Sequence, residues 1–185
     1  MKALGVVGSP RKDGNTDILV EETLKGAREA GRETAKIFLN DLRISPCQSV
    51  CAEYCEKMGD CKIKDDMSPI YNTLYDSDPI ILGTPIYWYG PSAQLKAFID
   101  RWYAFSNPKF AGRMKGKNLI LIAAFEESNS SAADPLVIMI DKTAKYLNCK
   151  FAKKLLVSAG AKGIVKQNPQ AMRQAYDLGL GLKSK

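Results

Sequence analysis

Residues 4–16 constrain the fold more than any other stretch. The apolar run Ala3-Leu4-Gly5-Val6-Val7 stops at Gly8-Ser9-Pro10-Arg11-Lys12-Asp13-Gly14-Asn15-Thr16, and an amphipathic helical pattern starts directly after it. A strand, a small polar loop and a helix start therefore follow one another without a break. Backbone N–H groups at a helix N-terminus carry partial positive charge. Ser9, Asn15 and Thr16 add side-chain donors, and Arg11 can pair with a dianion. Such a loop suits a phosphate monoester. It lacks the Gly-Lys-Ser/Thr of a Walker loop and the Gly-x-Gly-x-x-Gly of a dinucleotide turn. An ordinary capped strand-to-helix turn is the alternative at this point.

Further along, Ile18, Leu19, Leu24 and Ala27 form a helical stripe that Gly31 ends, and residues 34–39 alternate as an edge strand. A cysteine-rich stretch follows, then a short helix opening at Ser68-Pro69. The apolar Pro79-Ile80-Ile81-Leu82-Gly83 reads as a central strand. An aromatic loop leads into a helix over residues 92–105 with Leu95, Phe98, Ile99 and Trp102 on one face. Strands at 117–125 and 151–157 enclose a helix at 134–147, and another helix opens at Asn168-Pro169. Proline at the first helical position gives up only an N–H that had no partner, so Ser68-Pro69, Asp134-Pro135 and Asn168-Pro169 mark helix starts. Five strands alternating with helices predict an α/β fold, a parallel sheet with helices on both faces. Ligands of such sheets sit at the carboxyl ends of the strands, where strand order reverses. The loops after the first, third and fourth strands converge there.

The chain has 185 residues, 45% of them hydrophobic, enough for a single domain with a full core. Histidine is absent, which excludes His-based triads, bases and metal ligands. The net charge of +7 comes from Lys and Arg scattered among acids, which suits phosphorylated cofactors or acidic partners. No basic stripe interleaved with aromatics appears, and nucleic-acid binding is not expected. The first strand begins within a few residues of Met1, and no apolar run approaches a membrane span, so a cytoplasmic protein without membrane contact is expected.

Two further stretches carry chemistry. Thr84-Pro85-Ile86-Tyr87-Trp88-Tyr89-Gly90-Pro91 places three consecutive aromatics at the carboxyl edge, where at least one should face a partner or a flat ligand; packing over the sheet end is the alternative. Cys47, Cys51, Cys55 and Cys61 fall within one short segment at about 46–62, which favours metal or redox chemistry over a disulfide scaffold. Four thiolates in that span can wrap a metal centre, and soft sulfur suits iron–sulfur clusters or zinc. Redox-active disulfides and plain buried thiols stay open. Asp65-Asp66 reads as a cap for the helix near Met67, Asp100-Arg101 as a helix-surface ion pair or interface contact, and Cys149 as a small core residue.

Gly8-Ser9-Pro10-Arg11 with Gly14-Asn15-Thr16, then Gly83-Thr84-Pro85-Ile86-Tyr87-Trp88, then Leu95-Lys96-Ala97-Phe98-Ile99-Asp100-Arg101, resemble the NAD(P)H-dependent FMN reductases of the flavodoxin-like superfamily. The resemblance covers nearly the whole chain, including Ala175-Tyr176-Asp177-Leu178-Gly179. It implies a flavodoxin-like three-layer sandwich with five parallel strands in the order 2-1-3-4-5. It implies FMN phosphate binding by Ser9, Arg11, Gly14, Asn15 and Thr16. Thr84, Pro85, Ile86, Tyr87 and Trp88 would line the isoalloxazine ring, and a third loop would add Ala124 and Phe125. The cysteine segment resembles that of the archaeal-type iron-sulfur flavoproteins, which implies a [4Fe–4S] cluster on Cys47, Cys51, Cys55 and Cys61; those proteins put two residues between each of the first three cysteines, and this chain puts three. The resemblance further implies a homodimer or homotetramer. The combined expectation is an FMN-dependent oxidoreductase passing electrons from a ferredoxin-like donor or NAD(P)H to a small acceptor, with no catalytic side chain named. A cluster-free NAD(P)H-dependent FMN or quinone reductase and a non-enzymatic FMN electron carrier are the alternatives.

Overall fold

The computed structural model describes residues 1–49, 52–58, 60–107 and 112–182. Its strands are β1 (Lys2–Val7), β2 (Thr34–Phe38), β3 (Ser77–Tyr87), β4 (Gly90–Pro91), β5 (Asn118–Phe125) and β6 (Lys150–Ser158). Five of them run parallel in the order β2-β1-β3-β5-β6, the expected order, and the two-residue β4 folds back antiparallel on the end of β3. The central strand runs four residues past Gly83, because Thr84 and Pro85 still pair with Ala123 and Ala124 before Ile86 and Tyr87 turn to β4.

Side-chain alternation along these strands builds two cores. Leu4, Val6, Ile80, Leu82, Leu119 and Leu121 face one core together with α3 (Met67–Tyr75), α4 (Ala93–Asp100) and α5 (Asp134–Tyr146). The short α2 (Ala52–Met58), inside the cysteine stretch, sends Cys55 into the same core. Ala3, Val7, Ile81, Ile120 and Ile122 face the other core, closed by α1 (Asn15–Glu29) and α6 (Pro169–Leu180). These two helices meet backbone to backbone: a Cβ on Gly26 would lie 2.1 Å from the Tyr176 carbonyl oxygen, and one on Gly179 would lie 1.9 Å from that of Thr23.

The helix starts fall at the predicted prolines, but of the three expected caps only Asn168 serves as one; Ala133 precedes α5 and Ser68 lies inside α3. Asn168 caps α6 by accepting the Ala171 N–H at 2.9 Å, and α5 opens at Asp134 next to its proline. α3 instead opens at Met67, whose N–H donates to the Asp65 carboxylate at 3.1 Å. A carboxylate is a stronger acceptor than the Ser68 hydroxyl, and Pro69 still falls in the first turn, where a missing N–H costs nothing. The expected helix over 92–105 is α4 followed by a 3-10 turn, Arg101–Ser106, in which Arg101, Trp102 and Phe105 are buried.

Candidate functional site

The loop between β1 and α1 is held from below. The Gly8 N–H donates to the Gly83 carbonyl at 2.7 Å, and the buried Ser92 hydroxyl donates to the Gly8 carbonyl at 2.6 Å while capping α4 through the Leu95 N–H. Gly8 has no room for a side chain, since a Cβ would stand 2.7 Å from that of Leu95. Ser9 accepts the Arg11 N–H at 3.2 Å, leaving its own hydrogen free to face a ligand. Gly14 caps α1 without a side chain, so the first-turn N–H groups of the helix stay open. Asn15 departs from expectation. Its amide hydrogens go to the carbonyls of Ala159 (2.8 Å) and Ala161 (2.9 Å), and its oxygen accepts the Val165 N–H at 3.2 Å. Only its backbone N–H is left for a phosphate.

These residues open into a cleft of about 200 Å³ at the carboxyl ends of β1, β3, β5 and β6. Ser9, Arg11, Gly14, Asn15 and Thr16 form one end; Pro85, Ile86 and Tyr87, with Ala124 and Phe125 on the neighbouring strand, form an apolar end that fits a flat ring. Among the expected contacts, Thr84 and Trp88 do not line it. Thr84 is fully buried beneath, donating to the Pro85 carbonyl at 2.8 Å and accepting the Ser92 N–H at 3.0 Å. Trp88 sits on the tip of the β3–β4 hairpin and is 96% exposed. Trp88 and Tyr89 both have positive φ, 49° and 64°, which a two-residue hairpin of this hand requires and which neither side chain favours.

Beside this edge lies the cysteine stretch. Cys55 and Cys61 are buried in the α3–α4 core, Cys47 is exposed, and Cys51 lies outside the described residues. Among the described residues no three cysteine or acidic side chains stand close enough to hold a metal. Arg101 ties the ends of the stretch together. Its guanidinium, wholly buried, donates to the carbonyls of Ser45 (2.9 Å) and Ile63 (3.0 Å) and forks onto Asp65 (2.7 and 3.2 Å). The expected surface pair with Asp100 does not form; Asp100 pairs with Lys96 one turn back at 2.7 Å. Asp65 also accepts the N–H groups of Ser45 and Met67. Cys149 is half-buried, its thiol donating to the Met114 carbonyl, and burial pushes its pKa up to about 11, as suits an inert core thiol.

Residues 1–141, which carry the strand-loop-helix start, the aromatic loop and β5, match the family described as NADPH-dependent FMN reductase. The chain belongs to this family. Within it, the chain is 45% identical over 101 residues to an iron-sulfur flavoprotein of Methanocaldococcus jannaschii, a match covering 55% of this chain and 51% of that protein. The chain thus spans about half the length of that relative. It is 27% identical over 182 residues to a Bacillus subtilis protein described as an NAD(P)H-dependent FMN-containing oxidoreductase, with 96% of each covered. Its fold matches that of an NAD(P)H:quinone oxidoreductase from Methanothermobacter marburgensis with a TM-score of 0.79, over 100% of this chain and 97% of the other at 15% identity.

This FMN reductase family member also presents residues to the cleft that sequence reasoning did not single out. Glu126 and Glu127 follow β5, while Ala159, Gly160 and Lys162 follow β6. The signal was present for the second group. Ala159-Gly160-Ala161-Lys162-Gly163 is a small-residue run at the carboxyl end of a parallel strand, the same feature that marked the first loop.

Proposed function

We propose that the chain is an FMN-dependent oxidoreductase that takes electrons from NAD(P)H and reduces a small acceptor, working as one flavin-binding unit with a cysteine-rich insert. The observation that carries this is the composition of the cleft: open helix N–H groups, Ser9 and Arg11 at one end, and the Pro85–Tyr87 wall beside Phe125 at the other. A phosphate and a planar ring are the two ligand parts that such ends fit. When bound, the flavin supplies the electron chemistry that side chains lack. The protein's part is to hold the phosphate, flatten the ring against an apolar wall and leave its outer face open beside Tyr87, which is 42% exposed. The exposed Tyr87, Trp88 and Tyr89 on that rim, with Tyr103 and Tyr146 elsewhere, support a homodimer or homotetramer.

A second reading adds a [4Fe–4S] cluster on Cys47, Cys51, Cys55 and Cys61 and a ferredoxin-like donor. The identity to the iron-sulfur flavoprotein supports it. The placement of the described thiols does not: Cys55 and Cys61 face the core while Cys47 is at the surface, so no cubane assembles without rearranging the stretch.

Anaerobic purification followed by absorption, iron and sulfide analysis and NAD(P)H turnover tests both readings. Flavin bands with NAD(P)H oxidation and no iron support the first; about four iron and four sulfide per chain support the second. Absence of flavin from protein given excess FMN would overturn both.

A further inference from the structure

The β6–α6 loop brings a second cation to the end of the cleft where Arg11 sits. Asn15, the first residue of α1, is 8% exposed, and all its side-chain hydrogen-bonding capacity to the loop is spent: both amide hydrogens on Ala159 and Ala161 carbonyls, the oxygen on the Val165 N–H. The loop is further fixed at its root by the Ala159 N–H donating to the Phe125 carbonyl at 2.7 Å. At its far side Gly163 has a φ of 75°, and a Cβ there would stand 3.6 Å from the Asp13 carbonyl, so this backbone lies directly against the loop that precedes α1. Between these fixed points is Lys162, lining the same cleft as Ser9, Arg11 and Thr16. Among the described residues, neither the Lys162 ammonium nor the Arg11 guanidinium has an ion-pair or hydrogen-bond partner.

A phosphate monoester carries close to two negative charges at neutral pH. Arg11 offers one positive charge, and the start of α1 roughly half of another. Up to about half a charge remains, which a further cation at the same end would balance. We propose that Lys162, held over the start of α1 by a loop that the Asn15 carboxamide latches, is the second cation of the flavin-phosphate site, and that Asn15 is a positioning residue acting through it. The inference rests on the flavin reading of the cleft and adds to it how the chain distinguishes FMN from riboflavin, the same ring without the phosphate.

The test is titration of the flavin-stripped full chain with FMN and, separately, with riboflavin, followed by quenching of flavin fluorescence. K162Q, a change at an exposed side chain, should raise the Kd for FMN about tenfold and leave that for riboflavin within about twofold. K162R should restore most of the FMN affinity, and 0.5 M salt should shrink the difference between wild type and K162Q, as expected for an exposed charge contact. With the latch removed in N15A, the same K162Q change should cost less than about threefold. Equal weakening of FMN and riboflavin would overturn the proposal. So would an unchanged FMN Kd with a raised KM for NADPH but not NADH, which would assign Lys162 to the nicotinamide dinucleotide instead. If the wild-type chain binds neither flavin, the flavin reading itself fails, a result separable from failure of the Lys162 assignment because it appears before any substitution is made.

Discussion

Replacing Asp65 by asparagine removes the counter-charge from a guanidinium that has no access to water. Breaking a buried pair by deleting one partner costs about 3–5 kcal/mol, and urea unfolding of D65N should show a loss of that size. The pH dependence follows from the carboxyl group. Burial raises its pKa, but the hydrogen bonds from Arg101, the Ser45 N–H and the Met67 N–H outweigh burial and hold it below the usual value. The folded value thus lies below the unfolded one of about 3.9. The pair's contribution is complete above that unfolded value and is lost as pH falls through the folded one. The stability gap between wild type and D65N should therefore be constant near neutrality and close under acid; an equal gap at all pH values would show that the charge pair is not its source. Single residues were the least legible scale in the sequence. Arg101 reads as a surface partner of its neighbour Asp100, yet it opens the 3-10 turn with its guanidinium buried against Asp65. Asn15 reads as a phosphate donor because its type and place suit one, yet its side chain answers to carbonyls more than 140 residues away.

Elements were far more legible, because each has a local cause. Apolar runs marked the parallel strands, prolines next to capping residues marked α5 and α6, and a glycine marked the end of α1. The β4 hairpin was missed because its turn carries none of the usual residues. Asn-Gly fills such turns without strain, whereas Trp88 and Tyr89 each hold a positive φ that costs on the order of 1 kcal/mol or more. The double variant W88N/Y89G should raise the stability of the protein by about 1–2 kcal/mol in thermal unfolding while changing the rim of the cleft. A drop in stability would mean that the two aromatics are held by contacts that outweigh the backbone strain. The exposure of both, near complete for Trp88, argues that such contacts, if found, belong to a second copy or a bound acceptor.

At the scale of the whole molecule, the parallel sheet and the convergence of loops at one edge followed from the alternation of strands and helices, the strand order followed from the family resemblance, and most of the cleft followed from that convergence. What did not follow was the dependence of the first loop on the far end of the chain. α1 is sealed on one side by α6, through backbone contacts at Gly26 and Gly179 that admit no side chain. G179A would drive a methyl group into the Thr23 carbonyl; separating the helices should cost about 3 kcal/mol in urea unfolding, and weaken FMN binding in parallel. Unchanged stability would show that the helices can part without loss. No helix among the described residues is long and apolar enough to cross a membrane. The seam between α1 and α6 also sets an order in time. As the chain leaves the ribosome, β1, its loop and α1 emerge well before residues 159–180, which supply the surfaces that fix them. The loop segment is thus made before the parts that complete it, and cofactor loading waits for residues 159–180.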